Sequence, residues 1–129
     1  MPNAPDPTQP ARAKTLLASF GYAGAGLLYC IRTQRNFRIH VAAAILALIA
    51  GFILELALTE WAIIALLVVM VLAAEMVNTM VEALVDLVIQ DYHPLAKVAK
   101  DVAAGVVLLT AGGAVVVGVL IFVPKLIAR

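Results

Sequence analysis

Charge is scarce in this chain. Only 13% of its 129 residues are Asp, Glu, Lys or Arg, while 64% are hydrophobic and the mean hydropathy is +1.06. A soluble domain is nearer a quarter charged and half apolar, so the shortage excludes an ordinary water-soluble globule and points to a membrane protein. Cysteine is almost missing too. Cys30 stands alone, so no internal disulfide can form and no oxidising compartment is implied. The familiar loops of phosphate and acyl chemistry are also absent: there is no GxxxxGK[ST], no HRD or DFG, no CxxC pair and no GxSxG. Any phosphate chemistry must therefore be assembled from helices. A net charge of +1 says little about partners, and nucleic acid is not an expected one.

What is present is long apolar runs. Val41 to Leu58 is apolar but for Glu55, Trp61 to Ile89 has polar residues only in its second half, and Val102 to Val123 has no charge. About 20 apolar residues cross the hydrocarbon core of a bilayer, and in lipid each run must be helical to satisfy its own backbone. Three spans are expected, at about residues 41–58, 61–89 and 102–123. Ahead of them, Leu16, Phe20, Ala23, Leu27 and Ile31 recur at steps of three and four, flanked by Arg12, Lys14, Arg32 and Arg35. This predicts an amphipathic helix over 13–36 lying along the membrane surface, weakened by Gly21, Gly24 and Gly26. The opening MPNAPDPTQP holds four prolines, and residues 1–12 are expected to form a disordered tail. The first long apolar run begins near residue 41, too deep for a cleaved leader. The whole predicts one all-α membrane domain over residues 13–129.

The bases divide unevenly. Arg12, Lys14, Arg32, Arg35, Arg38, Lys97 and Lys100 fall on one side of this plan, Lys125 and Arg129 on the other, and the 55–60 turn has Glu55 and Glu60 but no base. That puts the N-terminus and the 90–101 loop in the cytoplasm and the C-terminus outside.

The second span ends in AEMVNTMVEALVDLV, residues 74–88. At roughly 100° per residue, Glu75, Asn78, Glu82 and Asp86 share an arc of about 80°. Counting about 20 residues from Trp61 puts Glu75 and Asn78 just inside the apolar boundary, with Glu82 and Asp86 among headgroups and water. The full run, about 44 Å long, should protrude into the cytoplasm. Glu82 and Asp86 repel one another unless a cation intervenes, and Mg²⁺ characteristically joins one or two carboxylates to a substrate phosphate. Glu75, partly desolvated, is suited to act as a general base towards an alcohol. Taken alone, the same stripe would equally serve to mark the interface where a spanning helix leaves the bilayer.

The next segment, DYHPLAKVAKDVAAG (91–105), favours chemistry. Pro94 should open a helix, Lys97 and Asp101 form an i,i+4 pair, and Lys100-Asp101 stands at the start of the third span. Lys97 by itself fits ordinary cytoplasmic charge decoration. His93 fits a hydrogen-bonding or interface residue better than a metal ligand.

RNFRIH (35–40), AEMVNTMVEALVDLV and DYHPLAKVAKDVAAG together resemble the small integral-membrane lipid kinases of prokaryotes, the diacylglycerol kinase and undecaprenol kinase family, over roughly residues 15–124. The resemblance implies a homotrimer with active sites between protomers. There the γ-phosphoryl of Mg-ATP passes to a lipid hydroxyl at the cytoplasmic face of the bacterial inner membrane. It lays the base on Glu75 and a metal-binding acid on Glu82, with Asn78 and Asp86 lining the same site. Nucleotide contacts fall on Lys100 and Asp101, on Asp91, Tyr92 and His93, and on Tyr22 of the surface helix.

Two departures stand out. Where the family often carries a second metal-binding Glu, this chain has Gln34, which keeps an oxygen donor but removes a negative charge. Ala25 stands near the place of a basic residue in the enterobacterial form. RNFRIH, HPLAK and KDVAAG look more like the undecaprenol kinase branch, and Ala104 occupies the position of a serine in the enterobacterial diacylglycerol kinases. Undecaprenol is therefore the expected acceptor and diacylglycerol the alternative. A non-catalytic membrane scaffold is a further alternative, against which the intact set Glu75, Asn78, Glu82, Lys100 and Asp101 stands.

Overall fold

Breaks in the apolar pattern divide the chain into four helices. The computed structural model describes residues 15–89 and 91–128; the expected tail, residues 1–12, lies outside the described residues. Helix α1 spans Leu16–Thr33, α2 Arg35–Ile53, α3 Leu58–Val88 and α4 Pro94–Ile127, and no strand occurs among the described residues. As the three apolar runs predict, α2, α3 and α4 are long and apolar enough to cross a membrane. At 1.5 Å per residue α3 and α4 reach about 46 and 51 Å, well beyond about 30 Å of hydrocarbon.

Each boundary has a local cause. Thr15 caps α1 by accepting from the Ala18 amide (3.2 Å), which satisfies a donor that the first turn leaves open. Gln34 is extended (φ −99°, ψ 112°) and separates α1 from α2. RNFRIH is therefore helical, and α2 begins at Arg35 rather than near Val41. Its far end closes in a reverse turn. Glu55 sits in the left-handed region (φ 50°), its amide donates to Phe52 O (3.4 Å), and the Leu56 amide donates to Gly51 O (3.1 Å). This is the Schellman pattern that satisfies the last carbonyls of a helix, and it ends α2 at Ile53 rather than Leu58. A Cβ on Gly51 would meet Leu56 Cδ1 and Trp61 Cη2 at 2.8 Å, so glycine lets the hairpin close. Beside it the rings of Phe52 and Trp61 lie with centroids 4.8 Å apart.

Glu60 Oε2 accepts from the Ala57 amide (2.7 Å) at the start of α3. Pro94 opens α4 at its first turn, where a missing N–H costs no helical bond, and His93 Nδ1 accepts from the Leu95 amide (3.2 Å). Lys97, Lys100 and Asp101 thus ride on α4, which opens at Pro94 as expected, ahead of the apolar span expected from Val102.

Helix α3 is central: it packs most extensively on α4, then on α2, and α1 touches α2 and α3 lightly. Two acid–lysine pairs tie α3 to α4, Glu60 Oε2–Lys125 Nζ at 3.0 Å and Asp86 Oδ1–Lys100 Nζ at 2.5 Å. The 55–60 turn and the C-terminal end of α4 therefore share one end of the bundle, and the α3–α4 connection lies at the other.

The interior is thin. Cys30, Phe37, Ile64, Val71, Ala74 and Ala103 are buried, while Leu46, Phe52, Leu66, Leu108 and Leu120 face outwards. An apolar exterior of this extent calls for lipid or further protein to cover it.

Candidate active site

Helix α3 changes character at Ala74. Its polar residues lie on one face, as the helical period requires, and they sort by exposure. Glu75 is 2% exposed, Asn78 and Glu82 are half-buried, and the Asp86 side chain is 66% exposed. A gradation from covered to open runs along the stripe.

Glu75 carries the heaviest burial cost, because a carboxylate removed from water needs partners. Its backbone carbonyl accepts from Thr79 Oγ1 (2.9 Å). Its carboxylate meets α2, where His40 Nε2 lies 3.2 Å from Oε1. That separation is within ion-pair range, yet Oε1 accepts no hydrogen bond among the described residues. The ring nitrogen is near but not aligned for donation, so the link is an electrostatic contact rather than a formed hydrogen bond.

One turn on, Asn78 Nδ2 donates to Glu82 Oε1 (3.2 Å), while Asn78 Oδ1 is buried without a partner. Buried polar atoms are normally satisfied. Two open acceptors a turn apart are therefore a local departure, suited to receiving a hydroxyl or a cation.

Asp86 takes Lys100 Nζ from α4. The repulsion expected between Glu82 and Asp86 is thus relieved on the Asp86 side by a lysine from a different helix. Lys97 pairs with Asp101, as their spacing predicts; both are largely exposed, so the pair contributes little by itself. His93 caps α4. Tyr22, Asp91 and Tyr92 are exposed and Gln34 is half-buried, and none of the four makes a side-chain hydrogen bond or ion pair among the described residues. The structure brings Glu75, Asn78, Glu82, Asp86 and Lys100 together. It leaves Tyr22, Gln34, Asp91, Tyr92, His93 and Asp101 without a bonded link to the stripe.

His40 is the residue that sequence reasoning passes over. It closes the RNFRIH segment, but no spacing rule ties it to a carboxylate on another helix. It also stands at the head of an apolar groove of about 230 Å³ between α2, α3 and α4, whose walls include Ala43, Ala47, Val71, Ala114 and Gly118.

Among the described residues no three His, Cys, Asp or Glu side chains converge on one point. Among the described residues, Glu82 stands beside two partnerless oxygens of the stripe, Asn78 Oδ1 and Glu75 Oε1, that a hard cation could use. Mg²⁺ needs only one or two carboxylates when phosphate oxygens and water complete its shell. The donor set fits an ion that arrives with a nucleotide, not a protein-only cage.

Residues 21–122 match the family described as prokaryotic diacylglycerol kinase. The chain belongs to this family. It is 49% identical over 108 residues to the undecaprenol kinase of Bacillus subtilis, covering 84% of this chain and 88% of that protein. It is 46% identical over 117 residues to a diacylglycerol kinase of Synechocystis sp., covering 90% and 67%, and 35% identical over 88 residues to that of Pseudomonas aeruginosa, covering 68% and 72%. The protein is thus a lipid kinase with helices suited to a membrane, and ATP is the phosphate donor its class implies. The family match begins within α1 and ends near the end of α4, taking in His40, the whole stripe and Lys100.

Proposed function

We propose that this kinase transfers the γ-phosphoryl group of ATP to undecaprenol at the cytoplasmic edge of the membrane, with Glu75 as the general base. One observation carries the reading: the buried carboxylate of the stripe keeps an oxygen without a hydrogen bond where the apolar part of α3 gives way to polar residues. An alcohol held by its hydrocarbon tail presents its hydroxyl at such a boundary. The hydroxyl proton passes to Glu75, the alcohol oxygen bonds to the γ-phosphorus, and ADP leaves with the electron pair of the broken P–O bond. Beyond proton transfer, such chemistry asks the protein mainly for positioning and charge stabilisation.

Glu82, with Gln34, would hold Mg²⁺; when bound, the ion supplies neutralisation of charge on the phosphate oxygens. Asn78 and Asp86 line the site. Lys100, Asp101, Asp91, Tyr92, His93 and Tyr22 take the nucleotide. The Lys100–Asp86 link supports a cation at the open end of the stripe.

Other copies of the chain complete the site. Among the described residues Tyr22 and Gln34 have no bonded link to the stripe. Gly105, Gly112 and Gly113 on α4 have open space beside them, and small residues of this kind allow close helix approach. The proposed assembly is a homotrimer in the bacterial cytoplasmic membrane, with α1 on its surface and the N-terminus inside. Residues 13–129 then act as one kinase domain behind a short tail.

Undecaprenol is preferred because the B. subtilis relative of that name is 49% identical and matched over 88% of its length. The Synechocystis relative, at 46% identity, makes diacylglycerol the second reading. The test is ATP-dependent phosphorylation in vesicles carrying each alcohol alone and both together. A higher kcat/KM for undecaprenol is expected; transfer confined to diacylglycerol would refute that acceptor. Mixing Glu75→Gln chains with chains altered at Tyr22 tests the shared site. Recovered activity is expected, and a dead mixture of co-assembled chains excludes sharing.

A further inference from the structure

A carboxylate only 2% exposed has lost most of its hydration, and a buried charge demands a counter-charge or donors. Among the described residues no lysine or arginine comes within ion-pair range of Glu75: Lys100 is on Asp86, Lys97 on Asp101 and Lys125 on Glu60. What does reach Glu75 is His40 Nε2, 3.2 Å from Oε1, on a side chain that is 22% exposed against 3% for the carboxylate's own. The two come from different helices, so the contact depends on the packing of α2 against α3. His40 also lines the apolar groove, where its other neighbours include Ala43, Ala44, Val71 and Leu72. An unrestrained carboxylate rotates about its side-chain bonds, and proton transfer requires one oxygen to be held in a set direction. A small turn of the imidazole would make Nε2–H a donor to Oε1, leaving the second oxygen for an alcohol.

We propose that His40 is a positioning residue for the base: it holds the Glu75 carboxylate in the orientation that meets a lipid hydroxyl at the head of the apolar groove. This rests on Glu75 being the base. The hydroxyl proton still passes to Glu75, and His40 keeps its own.

The test compares His40→Leu, an apolar residue without a donor, with His40→Gln, whose amide N–H reaches towards the same point. Both are assayed in vesicles, after gel filtration and thermal unfolding have confirmed folded, assembled protein. His40→Leu is expected to lower kcat on the order of 10²-fold with the KM for ATP unchanged, and His40→Gln to recover most of that loss. Parental kcat in His40→Leu, or equal losses in both variants, overturns the proposal. A second measurement is independent of activity. The chain has two histidines, so ¹⁵N NMR of histidine-labelled protein resolves His40, assigned by its disappearance in His40→Gln. In Glu75→Gln its Nε2 resonance should move while that of His93 stays; an unmoved His40 resonance overturns the contact. Failure of the base assignment shows separately, as parental turnover in Glu75→Gln, and would take the proposal with it.

Discussion

The two ends of the helical bundle carry the same device and differ in what they leave open. At one end Glu60 of α3 pairs with Lys125 of α4; at the other Asp86 pairs with Lys100. Around Glu60 the polar atoms are used: Oε2 takes both the Ala57 amide and Lys125, and the Gly51 and Phe52 carbonyls accept in the turn. Along the other end, Glu75 Oε1 and Asn78 Oδ1 are buried without a hydrogen-bond partner among the described residues. A fold gains nothing from such atoms, each costing about 1–3 kcal/mol when its hydrogen bond is unmade, whereas a site gains two acceptors. Paired charge is common to both ends, so it does not mark function here. Open buried polarity is what sets the proposed active end apart.

The comparison breaks most sharply at Glu75. Glu75→Gln is nearly isosteric but cannot take the hydroxyl proton, so turnover should fall by about 10²- to 10⁴-fold while ATP binding, measured by calorimetry, is retained. Turnover near that of the parent would move the base elsewhere. A smaller loss is expected from Glu82→Ala, which should weaken Mg-ATP binding by about 10- to 100-fold and leave lipid binding little changed. Gln34→Glu sharpens the same point from the other side. It restores a charged ligand, so half-maximal rate should need less Mg²⁺; an unchanged requirement would place position 34 away from the ion.

The closed end should respond in stability and not in chemistry. On Gly51→Ala the new methyl would meet the Trp61 ring and Leu56, an overpacking worth about 1–3 kcal/mol. The unfolding temperature in detergent should drop while the folded fraction keeps its kcat. A lost kcat at an unchanged unfolding temperature would show the two ends to be coupled.

How much of this is legible in the sequence follows the same division. The three spans are legible because apolar length dominates in a membrane, and the stripe is legible because Glu75, Asn78, Glu82 and Asp86 share a helical face whatever the packing. Helix starts are legible only where a local signal marks them: Pro94 announces α4, as the sequence predicts. Hydropathy marks the lipid-facing stretch, so Val41 looks like the beginning of a helix, while backbone hydrogen bonding extends through RNFRIH to Arg35. The contacts His40–Glu75 and Lys100–Asp86 are illegible for a different reason. Each joins two helices, and their register is set by the packing of α3 against its neighbours.

The smallest effect is expected at the turn of the closed end. Glu55 sits at φ 50°, where a Cβ costs roughly 1–2 kcal/mol, and it holds the position after a helix where glycine is favoured. Its side chain is exposed and makes no hydrogen bond or ion pair among the described residues. Glu55→Gly removes the steric cost but gives the unfolded chain more freedom, which returns about 0.4–1 kcal/mol. The net should be a stabilisation of about 1 kcal/mol or less, read as a slight rise in unfolding temperature with unchanged turnover. A fall in either would mean that the Glu55 carboxylate has work to do against lipid headgroups or another copy of the chain, and that the closed end is not purely structural. Backbone repair of this kind is available at Glu55 because its side chain bonds to nothing among the described residues. At Asn78 the corresponding repair, supplying the missing hydrogen-bond partner of Oδ1, would fill an acceptor that the proposed site needs open.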